Sequence, residues 1–302
     1  MPIQPSDTSS NGSNGDVPLP PAPAVAPLTT GAASRRRSPL PLAIVAALLI
    51  IMPFLAWYFT WFGRNLSDDD IDKYLADQSS PRHVQHALTQ IEARIEAGDQ
   101  SVKRWYPQIL QLAASNTMEV RQTVAWVMGQ DNKSEEFHAA LQRLLHDSEP
   151  IVRRNAALGI TRFNDKSGRA ELIAALQPFP VPAPVEGMVI SYLPSGSKLS
   201  VGTMLARIEV DKDKVNEVRA PLPGLMDKVF VTEGARLKAG DNLVSIAPDE
   251  ASVLDALLAL RFAGEADDIP AIQTFTQNMS GRVKEQAALT AKAIQSRSAV
   301  RQ

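Results

Sequence analysis

Lys212 closes the run Glu209-Val210-Asp211-Lys212, and an amine held out on a tight, exposed turn would be open to amidation. His83 and His86 stand three apart, a helical spacing that could bring two imidazoles together. A metal site needs more ligands than that, so surface or groove histidines are expected and no metal is assigned. Arg121, Arg153 and Lys284 recur at one repeat position. They would form either a ligand-binding ridge or a set of packed stems whose heads pair with acids such as Glu119 or Asp147, and the second arrangement is expected. With no cysteine, the chain can have no disulfide, thiol nucleophile, cysteine-ligated zinc or iron-sulfur cluster. Gly-x-Ser-x-Gly, His-Glu-x-x-His and phosphate-cradling glycine loops are also missing, so no catalytic residue is named and the chain is not expected to be an enzyme. A net charge of -2 with 21% charged residues provides no electrostatic footprint for nucleic acid.

The elements that must position these residues repeat. At an offset of 32, Trp105 superposes on Phe137, Leu112 on Leu144, Val120-Arg121 on Val152-Arg153, and Ala125 on Ala157. Each unit reads as a helix carrying Val-Arg-x-x-x-Ala, a polar loop (131–134 or 164–167) and a second helix such as 137–145, where Leu141, Leu144 and Leu145 share one face. The pattern resembles HEAT repeats, in which small alanines let paired helices approach. The Val-Arg pair, the alanines and Gly129 match, while Gly159 falls two places early. A weaker unit begins near Pro81. The phase then breaks near residue 184 and resumes with Ala251 and Val283, again 32 apart, so about 67 residues are expected as an insert in one solenoid.

The insert has its own twofold repeat. Ala183-Pro184-x-x-Gly187, Gly196-x-Lys198-Leu199, Gly202, Leu205 and Ile208 match Ala220-Pro221-x-x-Gly224, Gly234-x-Arg236-Leu237, Gly240, Leu243 and Ile246 at offsets of 37, then 38. Each half reads as strands joined at glycine turns. Two interlocked halves would close edges that either leaves open. This resembles the biotinyl/lipoyl fold, a flattened barrel, and its second half is similar to that of periplasmic adaptor proteins of efflux and type I secretion systems. The long helical hairpin and second barrel of such adaptors are missing.

The lipoyl resemblance makes Lys212 the residue that would carry lipoate, since Glu-x-Asp-Lys is similar to the family's attachment motif. Asp213-Lys214 depart from the small residue that usually follows, and one extra residue precedes Pro221. No Met-Lys-Met marks a biotin site. The expectation is therefore an unmodified domain without cofactor, with lipoate on Lys212 as the alternative.

Ahead of all this, Leu42–Phe62 is an uncharged run of 21 residues, about the length that spans the ~30 Å hydrocarbon core as a helix. Arg35, Arg36 and Arg37 precede it, Trp57, Tyr58 and Trp61 crowd its far end, and Asp68, Asp69, Asp70 and Asp72 follow. The positive-inside rule then places the N-terminus in the cytoplasm and the later domains outside a bacterial inner membrane. The expected fold class is α plus β multidomain, with a single N-terminal transmembrane helix and a HEAT-like α-solenoid interrupted by a lipoyl-like flattened β-barrel. The expected bounds are a Pro/Ser/Gly-rich disordered tail (1–38), the transmembrane helix (39–63), HEAT-like repeats (64–179), the barrel (180–248), further HEAT-like helices (249–298) and a tail (299–302). The function expected is a membrane-anchored extracytoplasmic scaffold. Its solenoid would bind an envelope or membrane protein, residues 42–62 would contact lipid, and the chain could form a homo-oligomer. The alternatives are a reduced efflux or secretion adaptor, separable by oligomeric state, and a lipoyl carrier.

Overall fold

A computed structural model describes residues 40–57, 65–212 and 214–300. The apolar run forms helix α1 (Leu40–Trp57), 18 residues with Pro53 inside and no charged residue in its end turns. No helix among the described residues is long and apolar enough to cross a membrane. This corrects the expected transmembrane helix over 42–62, and with it the single-pass inner-membrane location and its inside-outside topology. Residues 58–62, including Tyr58 and Trp61, lie outside the described residues, as do the expected tail and Arg35 to Arg37.

The compact unit Asn65–Gln302 begins with seven helices. They are α2 (Asp68–Ala76), α3 (Pro81–Glu96), α4 (Tyr106–Leu112), α5 (Met118–Met128), α6 (Glu135–Leu144), α7 (Pro150–Ile160) and α8 (Arg169–Ala174). Their starts follow from local chemistry. Ser67 and Ser134 accept hydrogen bonds from the amides of Asp70 and Phe137, and Pro81 and Pro150 open α3 and α7, where a missing N–H costs nothing. The helices pair as α2 with α3, α4 with α5 and α6 with α7, while α3, α5 and α7 pack in a row. The positions spaced by 32 are the core: Trp105, Phe137, Val120, Val152, Ala125 and Ala157 are all buried.

Eight strands follow: β1 (Phe179–Pro182), β2 (Gly187–Tyr192), β3 (Lys198–Leu199), β4 (Met204–Asp211), β5 (Lys214–Arg219), β6 (Gly224–Val229), β7 (Arg236–Leu237) and β8 (Asn242–Ala247). They form two antiparallel four-stranded sheets, β1-β8-β6-β3 and β5-β4-β2-β7. Shifting each strand by four places converts one order into the other, so the internal repeat is a pseudo-twofold. The two inner faces bury Val189, Leu205 and Ile208 from one sheet against Met226, Leu243 and Ile246 from the other.

Three helices close the unit: α9 (Glu250–Ala263), α10 (Ile269–Thr276) and α11 (Gly281–Val300). They continue the earlier helices across the insert. Leu172 and Leu176 share one buried cluster with Val253, Leu257 and Leu260. Arg169 adds a fork to Asp268, with Nε to Oδ2 at 2.7 Å and Nη2 to Oδ1 at 2.9 Å. The barrel is not a free bead on this stack. Leu222, between β5 and β6, is only 1% exposed and belongs to the core cluster of the first helices, with Phe179 and Val201 packed against that cluster.

Candidate functional site

Strands β4 and β5 pair as far as Asp211 opposite Lys214, so Lys212 stands at the end of the hairpin. Residue 213 itself lies outside the described residues. The ladder's register shifts between Met204 and Ala206 and again between Glu209 and Asp211, each time with the additional residue on β4, ahead of Lys212. The Lys212 backbone N–H donates to Asp211 Oδ1 at 2.8 Å, an interaction that pins the start of the turn. The side chain is exposed, and its amine makes no hydrogen bond or ion pair with the described residues.

The pseudo-twofold carries the β8 and β1 pair, where the chain leaves and enters the helices, onto the β4 and β5 pair. Lys212 thus sits on the sheet that does not hold the helical connections, clear of the tether. Lys214, across the turn, is exposed too and is the competing amine. Val210 and Val215 beside the turn are likewise exposed.

Residues 178–246 match the family model Biotin_lipoyl, described as "Biotin-requiring enzyme". This part of the chain is a biotin/lipoyl attachment-type domain. A solved structure titled "Structure and function of a single-chain, multi-domain long-chain acyl-coa carboxylase" aligns at 19% identity and a TM-score of 0.23, covering 38% of this chain. The chain spans 13% of the length of that carboxylase. No curated protein matches. In the biotin/lipoyl domain the β4–β5 hairpin carries two exposed primary amines, Lys212 and Lys214, and an amine of that kind can form an amide with a carboxyl group.

The other candidates are placed elsewhere. His83 Nδ1 lies 2.8 Å from Asp77 Oδ2 and its ring stacks on Tyr74 at 4.4 Å, while the His86 ring is tilted at 6.0 Å from the same tyrosine. Among the described residues no group of three or more potential ligands is arranged to hold a metal ion. Arg121 forks onto Asp147 at 2.7 and 2.9 Å and donates to Ser115 O, and Arg153 reaches Glu171 and the carbonyls of Asp147 and Ser148. These two arginines bind successive units together and form no ridge. Lys284 is exposed.

A further polar cluster escaped the sequence reading. Asp165 Oδ2 lies 2.8 Å from His138 Nε2 and accepts from Gln142, while its Oδ1 accepts from the Ser167 amide. Burial by itself would raise this carboxyl. The Ser167, Gln142 and His138 bonds outweigh it and hold the pKa at about 2. A depressed value stabilises the fold above the unfolded pKa near ~3.9, and that contribution is lost as pH falls through about 2. Unfolding free energies of the wild type and of Asp165→Asn from urea titrations should therefore differ by on the order of 1 kcal/mol at neutral pH and converge towards pH 2. Curves that stay parallel would show that the cluster does not couple to folding.

Proposed function

We propose that the chain is a carrier, in which the domain at 178–246 presents Lys212 as the attachment residue for lipoate and the helices hold that domain for a partner enzyme. The single observation that carries this reading is the placement of Lys212 at the tip of the β4–β5 turn in a biotin/lipoyl-type domain. Condensation of Nζ with an activated carboxyl forms an amide and releases the activating group. A lipoyl arm, when bound, supplies a disulfide that can be reduced to a dithiol and can accept an acyl group. The chain's own residues do the rest: Asp211 fixes the turn, the β4 and β5 ladder holds it rigid, and Glu209 and Asp211 flank the lysine with negative charge. Glu-x-Asp-Lys favours lipoate over biotin. No reaction is assigned to the chain by itself. The helical part is read as HEAT-type repeats, supported by the buried positions at 32-residue spacing and by the row of α3, α5 and α7.

Intact mass spectrometry tests the carrier role. The full chain co-expressed with a lipoate ligase and supplied with lipoate should gain the mass of one lipoyl amide. Lys212→Arg keeps the charge and should abolish the gain, whereas Lys214→Arg should keep it. An unchanged mass, beside a known lipoyl domain that is modified in the same cells, would end the proposal. A gain that survives Lys212→Arg and vanishes with Lys214→Arg would move the site across the turn.

A further inference from the structure

Three large apolar side chains outside both α1 and the barrel stand open to one concavity. Trp126 on α5 is 37% exposed, and Leu258 and Phe262 on α9 are 45% and 64% exposed. With Leu158 of α7 they line a cavity of about 520 Å³, within the range of ligand-binding pockets. Its floor is shallow for a specific reason. A Cβ at Gly129 would meet Gly159 Cα at 2.7 Å, so the ends of α5 and α7 touch backbone to backbone and leave the groove above them.

The charges along the groove stand apart. Arg162 is held through Nη1, which donates to Gly129 O and to Gln130 Oε1, and its guanidinium lies 5.9 Å from the Trp126 ring, whereas the charge acting on Asp255 is the negative one of Asp249. Asp255 lines the same cavity, and its carboxylate has no hydrogen bond or ion pair with the described residues. Asp255 is exposed, but partial desolvation and the charge of Asp249 both raise its pKa above the ordinary value, as befits a negative group lacking a counter-charge. Aromatic and aliphatic walls beside an unsatisfied carboxylate complement a group that is apolar and cationic together.

We propose that this groove binds a peptide segment of a partner protein that presents a bulky apolar side chain next to a lysine or arginine. The apolar side chain packs between Trp126 and Phe262 and the basic head reaches Asp255. A neutral or acidic segment would leave Asp255 desolvated without a partner. The inference is independent of Lys212, whose hairpin belongs to a different part of the unit.

A random dodecapeptide library displayed on phage and panned against the full chain tests it. The enriched peptides should share a Lys or Arg within three positions of Leu, Phe or Trp. Synthetic versions should bind Asp255→Asn and Phe262→Ser at least about tenfold more weakly than the wild type, the equivalent of ~1.4 kcal/mol. Both positions are exposed, and circular dichroism should show unchanged helix content. Enrichment of acidic peptides, equal binding to both variants, or no enrichment above a bare support would each overturn the proposal.

Discussion

Asp268→Ala is expected to destabilise the protein by about 3 kcal/mol, although the residue lies in a short turn far from any chemistry. Asp268 is buried. Its carboxylate accepts both arms of the Arg169 fork and the backbone N–H of Glu265 at 2.8 Å. Glu265 in turn binds Arg169 at 2.6 Å and Lys166 at 3.2 Å. Removing the one buried acid leaves a guanidinium half-satisfied and an amide unpaired, and each is an expensive state. The loss should fall on the helices after the barrel. In hydrogen exchange, α10 and α11 should lose protection before α3 and α5 do, and urea unfolding should become less cooperative. A loss below about 1 kcal/mol would show that the apolar cluster of Leu172, Leu176, Val253 and Leu257 holds the junction by itself.

Gly224→Ala should be at least as damaging to the barrel. A Cβ there would stand 2.2 Å from Ala247 O and 2.9 Å from Ile246 Cγ2, and the residue has φ +154, which side chains rarely adopt. Its twofold mate Gly187 faces the same conflict, with Glu209 O at 2.4 Å and Ile208 Cγ2 at 2.5 Å. Moving a backbone carbonyl in the β8 ladder should cost about 3 kcal/mol or more. Gly196→Ala supplies the contrast, since its φ is +85 but nothing lies within 4 Å. About 1 kcal/mol is expected there. Because Leu222, two residues before Gly224, is buried in the helical core, the Gly224 variant should also lower the helical melting temperature. Equal effects of the two substitutions would show that the barrel breathes enough to relieve the contact.

What could be read in the sequence was what repeats within a short window. The offset of 37 and 38 became the exchange of two sheets, and the offset of 32 became a line of buried positions from Trp105 to Phe137. The tip position of Lys212 was also legible, because a short hairpin between alternating strands leaves few places for it. The groove was not legible. Trp126 and Phe262 are brought together only because α9 packs back onto α7 after the whole barrel has intervened, and no local period records that. The docking of Leu222 was hidden for a similar reason: a leucine beside two prolines reads as turn filler until the helices it touches are in place. In the N-terminal run hydropathy was read as a span, whereas no helix among the described residues is long and apolar enough to be one.

One feature of the barrel bears on the order of assembly. Its first and last strands are hydrogen-bonded neighbours, with Phe179 opposite Ile246. In the unfolded chain, α8 and α9 are separated by the entire insert, and stacking them means closing that long loop, at an entropic cost that grows with the logarithm of its length. Once β1 has paired with β8, the same two helices are tethered by a few residues. A nascent chain in which the barrel closes first meets a far smaller search when α9 looks for α8, so strand pairing within the insert acts as a local event that converts the most distant contact of the helical stack into a near one.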